Sequence, residues 1–107
     1  MLYNTDFDVV FFFVYVCTDI RDDFGAYAET LYQKFGDRVK HWITLNEPHT
    51  VAFSGYDIGI FAPGRCSILL HLFCRAGNSA TEPYIAAHHL LLAHATAANI
   101  YRTKYQV

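Results

Sequence analysis

The chain has 107 residues, of which 53% are hydrophobic and 17% are charged, and its formal net charge is −2 at pH 7. This composition is typical of one small globular domain and excludes an extended disordered segment. Because its eight Lys and Arg residues are scattered singly, the chain lacks the basic stripe that binds nucleic acid or anionic lipid, and we expect neither partner.

The run from Phe7 to Val16 is continuously apolar and rich in Val and Phe, which is typical of a strand buried on both faces. It is about half the length of a membrane-spanning helix and contains Asp8, so we predict a strand and no membrane anchor. A small membrane-associated protein anchored by this run is the minor alternative. Because Asp6 and Asp8 stand where a signal peptide carries Lys or Arg, no targeting signal or compartment is predicted.

A helix is predicted from Asp23 to Phe35, because apolar residues recur there at helical spacing. Asp23 is its expected N-cap, and Gly36 is expected to end it in a left-handed conformation. Apolar and polar residues then alternate from Val39 to Asn46, which predicts a strand that Pro48 terminates.

The stretch from Pro48 to Ala80 contains four glycines and a proline after its first residue and shows no sustained period, so we predict a long loop with a short helical turn at 67–73. Ser79 or Thr81 is then expected to cap a final helix that continues to residue 105. Its predicted buried face comprises Tyr84, Ala87, Leu91, Ala95, Ala98 and Tyr105. Strand, helix, strand, loop and helix in this order predict an α/β fold with parallel strands.

The segment Thr44-Leu45-Asn46-Glu47-Pro48 places an amide and a carboxylate at the carboxyl end of a predicted parallel strand. Active sites of α/β folds lie at this end of the sheet. Taken alone, the Asn-Glu pair is compatible with two ordinary polar residues that end a strand.

Longer blocks in the same order extend this motif. They are Phe35-Gly36-Asp37-Arg38-Val39-Lys40-His41-Trp42-Ile43-Thr44, Gly55-Tyr56-Asp57, Ala62-Pro63-Gly64-Arg65-Cys66-Ser67, Ala76-Gly77-Asn78-Ser79, Glu82-Pro83-Tyr84 and His88-His89-Leu90-Leu91-Leu92-Ala93-His94-Ala95. From roughly residue 20 to 106 the chain resembles glycoside hydrolase family 1, in particular plant β-glucosidases. The resemblance implies a fragment of a (β/α)8 TIM barrel, with residues 39–47 as its fourth strand. Residues 20–107 would form the partial family domain, and residues 1–19 an unmatched apolar segment.

The resemblance also implies roles for individual residues. Glu47 corresponds to the acid/base that protonates the glycosidic oxygen, and Asn46 to the residue that hydrogen-bonds the sugar 2-hydroxyl. Thr50 is a weaker candidate for lining the aglycone pocket. Myrosinases carry Gln at the acid/base position, so Glu47 favours O-glycosides. The spacing of Cys66 and Cys74 alone leaves free thiols and a disulfide equally open, and the family favours the disulfide.

The family takes its nucleophile from a Thr-Glu-Asn-Gly motif, which does not occur in this sequence. We therefore expect a β-glucoside-hydrolysing site of which this chain holds only the acid/base half, with no turnover by the chain alone and no cofactor. The alternative is a non-catalytic truncated product or a weak sugar-binding pseudoenzyme. The oligomeric state is not predicted.

Several other residues receive structural interpretations. The six histidines lack the spacing of a metal site, and packing or surface roles are the default for them. Arg65 is expected to hold its loop to a carboxylate. The loop aromatics Phe53, Tyr56 and Phe61 are candidates for the aglycone pocket.

Overall fold

The computed structural model describes residues 8–10, 20–69 and 73–106. Its elements are strand β1 (Asp8–Val10), helix α1 (Ile20–Phe35), strand β2 (His41–Ile43), helix α2 (Pro48–Tyr56) and helix α3 (Glu82–Ile100), followed by a π-helical turn (Tyr101–Tyr105). β1 and β2 pair in parallel, and α1 lies between them in sequence, as in a βαβ unit. These two strands form no closed barrel within the described ranges.

The predicted strands are longer than the observed ones. Most of the run at 7–16 lies outside the described residues, which show strand only at Asp8–Val10. The strand predicted over Val39–Asn46 is observed at His41–Ile43, the three residues that pair with the described residues of β1. Beyond it, Leu45 packs against the cluster formed by the helices and does not continue the ladder.

Helix α1 begins at Ile20, three residues earlier than predicted, so Asp23 lies inside its first turn and is not its N-cap. Acidic side chains in that turn favour the helix because they face the positive end of its dipole. The predicted left-handed conformation of Gly36 is wrong, since this residue has no positive φ. Glycine is nevertheless needed there, because a Cβ would lie 2.5 Å from the carbonyl oxygen of Tyr32.

Helix α2 occupies the first nine residues of the stretch predicted to be a loop. Pro48 suits the first turn of a helix, where its missing N–H costs no hydrogen bond. Tyr56 is 1% exposed and packs with Ala52 and Ala86, so tertiary burial stabilises a helix whose sequence shows little periodicity. In the predicted helical turn at 67–73, the described residues 67–69 and 73 contain no helix.

Helix α3 runs close to its predicted bounds, but the predicted buried face is largely wrong, because only Ala87 and Tyr105 of its six residues pack against the buried clusters. The residues that it buries are Ala86, Leu90, Ala93 and Ala97, whereas Tyr84 and Leu91 are 76% and 63% exposed. Apolar residues occur on nearly every face of this helix, so the period alone does not identify the buried one. Thr81 precedes the helix without a side-chain capping bond, and the Ser79 hydroxyl instead donates to the carbonyl oxygen of Asp57.

The core lies where α1 crosses α3. Its buried residues are Phe24, Ala28, Tyr32, Ala93 and Ala97. The alanines let the two backbones approach closely, and the Tyr32 ring fills the space towards β2 with an edge-on contact to Trp42 at 4.8 Å between centroids. None of the helices in the described ranges combines the length and apolar content needed to cross a bilayer.

Replacing Ala28 with leucine is expected to destabilise the fold by about 1–3 kcal/mol, because the fully buried position has no room for a larger side chain. The matched control is Ala26→Leu on the exposed face of α1, with an expected change within about 0.5 kcal/mol. Urea denaturation followed by circular dichroism measures both. Equal losses in the two variants would contradict the α1–α3 interface.

Candidate active site

The chain turns sharply at Glu47, between the end of β2 and the start of α2. Glu47 has φ 44° and ψ 60°, and within the described ranges it is the one non-glycine residue with positive φ. A left-handed conformation costs a residue with a Cβ about 1–3 kcal/mol and persists only where the surroundings impose it. Such strain clusters at functional sites.

The polar groups of the Asn46-Glu47 pair are directed to solvent. Both residues are exposed. The carbonyl oxygen of Glu47 accepts the first hydrogen bond of α2 from the Val51 amide at 3.1 Å, while its carboxylate makes no capping hydrogen bond to that helix. The backbone of Glu47 therefore serves the fold, and its side chain is available for chemistry.

The first turns of α2 carry the remaining candidates near this point. Thr50 is half-buried, and the rings of His49 and Phe53 stack with centroids 5.9 Å apart. Phe53 and Phe61 are exposed, as an aglycone-contacting residue must be. Tyr56 is buried in the α2–α3 contact, so its predicted role in the pocket is wrong.

Two contacts fix the end of β2 to the helices. Trp42 packs on Tyr32 of α1, and the Oγ1 of Thr44 lies 2.6 Å from the Nδ1 of His94 on α3. From the sequence, only a default packing or surface role was expected for His94. No local pattern points to this contact, because its two residues are 50 positions apart.

The loop between α2 and α3 is closed by a disulfide between Cys66 and Cys74, both of which are buried. Gly59 lies against it with φ 69°, and a Cβ at this position would collide with the Sγ of Cys74. The loop is further held by reciprocal bonds, in which the amides of Ser67 and Ser79 each donate to the hydroxyl of the other at 2.9 Å.

Arg65 connects this loop to α3. Its Nε and one terminal nitrogen donate to the two carboxylate oxygens of Glu82 at 2.8 and 2.7 Å, so Glu82 is the carboxylate that Arg65 holds. These hydrogen bonds lower the pKa of Glu82 below its ordinary value of 4.5 and raise that of Arg65. The pair has a structural role, because its polar groups bind each other.

No three His, Cys, Asp or Glu side chains converge on one point anywhere in residues 20–69 and 73–106. The acidic residues Asp22, Glu29, Asp37 and Glu82 are in ion pairs with Arg or Lys. Within residues 20–69 and 73–106, Glu47 is in no ion pair, and the same holds for Asp23 and Asp57. Of these three carboxylates, Glu47 is the one that lies in the left-handed turn after β2.

Comparison with known proteins gives matches over most of the chain. The family model described as "Glycosyl hydrolase family 1" matches residues 15–107. Beta-glucosidase 6 of rice is 75% identical over 87 residues, which are 81% of this chain and 17% of that protein. The chain thus spans about one sixth of that relative's length.

Solved structures give the same result. A crystal structure of a rice β-glucosidase has a TM-score of 0.83 and 72% identity, covering 84% of this chain and 19% of that one. A family 1 β-glucosidase from the fungus Humicola insolens, solved in complex with glucose, has a TM-score of 0.77 and 38% identity over 84% of this chain and 18% of that one.

Replacing Arg65 with alanine is expected to destabilise the fold by about 1 kcal/mol at neutral pH. The effect is small because the Arg65 side chain is 40% exposed and solvent screens the ion pair. The pKa of Glu82 is lower in the folded state, so the pair stabilises the fold above the unfolded pKa. This contribution is lost as the pH falls through the folded value. The stability difference between wild type and variant is therefore expected to shrink steadily below about pH 4.5.

Urea denaturation at a series of pH values measures this difference. The control is Arg38→Ala, which removes an ion pair whose partners are both about two-thirds exposed and is expected to have little effect at any pH. A stability gap for Arg65→Ala that does not change with pH would contradict the assignment to Glu82.

Proposed function

The chain belongs to glycosyl hydrolase family 1, and from this membership we propose that it carries the acid/base half of a retaining β-glucosidase site. Glu47 is the acid/base, Asn46 binds the sugar, and Thr50 borders the aglycone. We further propose that residues 39–47 are the fourth strand of a (β/α)8 barrel, within a partial family domain at 20–107. The substrate class is O-β-glucosides.

The observation that carries this proposal is the conformation of Glu47. It combines a left-handed backbone with an exposed carboxylate in the turn that follows a parallel strand and precedes α2. Strain of this kind is maintained where a side chain must be directed to one place. Support also comes from relatives named as β-glucosidases, and from the Humicola insolens enzyme, which was solved with glucose.

In the proposed reaction the protonated carboxyl of Glu47 gives its proton to the glycosidic oxygen as the bond to the anomeric carbon breaks. A second carboxylate attacks that carbon and forms a glycosyl-enzyme ester. Glu47, now ionised, takes a proton from water, and the resulting nucleophile hydrolyses the ester. The Asn46 amide donates to the sugar 2-hydroxyl and holds the ring in place for both steps.

The second carboxylate must lie about 5–5.5 Å from the first in a retaining enzyme. The 107 residues contain no Thr-Glu-Asn-Gly motif, in which family members carry this group. A neighbouring negative charge also keeps the acid protonated near neutral pH. We therefore propose that the 107-residue chain is inactive by itself, and that the nucleophile comes from sequence outside it.

The missing motif also favours a second candidate, a non-catalytic product that binds sugars weakly through Asn46 and its neighbours. The two candidates differ in what the segment does when the rest of a family 1 barrel is supplied. Only the first candidate predicts turnover that depends on Glu47.

The isolated chain is expected to show no hydrolysis of 4-nitrophenyl β-glucoside above the buffer rate, and Glu47→Gln is expected to be indistinguishable from it. Hydrolysis by the wild-type chain with loss in Glu47→Gln would contradict the missing nucleophile.

The acid/base role is tested in a chimera in which the matching segment of this chain replaces that of rice Beta-glucosidase 6. Glu47→Gln is expected to reduce kcat/KM for a 4-methoxyphenyl glucoside by about 10²–10⁴-fold, because that leaving group needs a proton. The value for a dinitrophenyl glucoside should change little, since dinitrophenolate departs without protonation. Azide, which needs no general base, should raise kcat of the variant and produce glucosyl azide.

The matched control is Asp23→Asn, which removes an exposed carboxylate on α1 and should leave all rates unchanged. An inactive wild-type chimera, or equal losses on both substrates in Glu47→Gln, would overturn the proposed role.

A further inference from the structure

The hydrogen bond between Thr44 and His94 joins the end of β2 to the middle of α3. At 2.6 Å it is a short contact for two side chains. His94 is exposed and Thr44 is half-buried, so the bond is not a consequence of close packing in the core. The bond fixes the end of the strand relative to α3 at one pair of atoms.

This contact lies just before Asn46 and Glu47 in the chain. Trp42 faces the helices, as its contact with Tyr32 shows, and Thr44 faces the same way because side chains alternate along extended chain. Leu45 packs on the helical cluster through apolar contact alone, so among the described residues Thr44 is the last side chain that hydrogen-bonds the extended segment to the helical layer before Asn46 and Glu47.

Glu47 is held from both sides. On its C-terminal side, Pro48 starts α2 and the Glu47 carbonyl accepts the Val51 amide. On its N-terminal side the tie nearest to it between polar side chains is Thr44–His94, three residues away. A strained left-handed conformation relaxes unless the chain is constrained on both sides.

We propose that Thr44 and His94 are positioning residues that hold Glu47 in place for proton transfer; this inference rests on the proposed acid/base role of Glu47. The Thr44 hydroxyl donates to Nδ1 where that nitrogen carries no proton and accepts from Nδ1–H where it does. A hydroxyl partner thus maintains the hydrogen bond with either form of the ring.

A general acid must come within about 2.6–3.2 Å of the oxygen that it protonates. Displacement by about 1 Å can cost a reaction about 100-fold. Loosening one of the two constraints is a smaller change. We expect it to lower kcat/KM about tenfold, and only for substrates whose leaving group needs the proton. Damage to sugar binding or to the fold would affect all substrates equally.

The test measures kcat/KM of Thr44→Val and His94→Ala in the rice chimera on two glucosides. Each variant should lose about tenfold on the 4-methoxyphenyl glucoside and less than twofold on the dinitrophenyl glucoside. The double variant should be no worse than either single one, because both remove the same bond. Thr44→Ser and His94→Asn, which keep a polar atom in place, should restore activity, and His88→Ala, an exposed histidine of the same helix, should have no effect.

Equal losses on both glucosides, or no loss on either, would overturn the positioning role while leaving the role of Glu47 intact. If the wild-type chimera is inactive, the proposed function fails. The positioning inference is then tested separately by NMR on the 107-residue chain. There, the intraresidue nuclear Overhauser effect between the amide and α protons of Glu47 reports the sign of its φ, because these two protons approach most closely at positive φ. The effect should weaken in Thr44→Val and keep its strength in Thr44→Ser, and an unchanged effect in both would overturn the inference.

Discussion

The arrangement of the chain depends on the burial of Tyr32 between α1, β2 and α3. Its ring is 2% exposed and contacts the rings of Trp42, Tyr101 and Tyr105. Tyr32 therefore joins β2 and the π-helical turn after α3 to α1 through one side chain. Because only Thr44 and Leu45 separate that strand from Asn46 and Glu47, the placement of the candidate site depends on the aromatic packing of Trp42 upstream of it.

A second set of constraints holds the long connection between α2 and α3. The disulfide, the Arg65–Glu82 pair and the paired serines all lie within residues 65–82. Among the described residues of this segment only the two disulfide cysteines are buried, so these contacts take the place of an apolar core. The loop is thus fixed by covalent and polar contacts, while the helices are fixed by burial, and the two regions should respond differently to pH and to reducing agents.

The sequence was informative where the signal is local or where many motifs combine. The helical spacing of apolar residues correctly predicted that α1 ends at Phe35. The motifs in their order predicted the family, which is confirmed. The helical state of 48–56 was missed because it depends on burial of Tyr56 against α3. The buried face of α3 was misplaced because apolar residues surround the helix. Neither the turn at Glu47 nor the partner of Thr44 has a local signature, since both depend on contacts between distant segments.

At Glu47, selection for a stable fold and selection for a carboxylate favour different residues, because the backbone there is left-handed. Glycine adopts this conformation without steric cost, and asparagine is the side chain that tolerates it best. Either replacement would relieve strain in the fold and remove the carboxylate. In a gene copy released from selection for hydrolysis, the fold would therefore accept Gly or Asn at this position and gain stability from either. Under the acid/base role proposed above, glutamate at this position costs the fold stability, as is common for residues that serve activity.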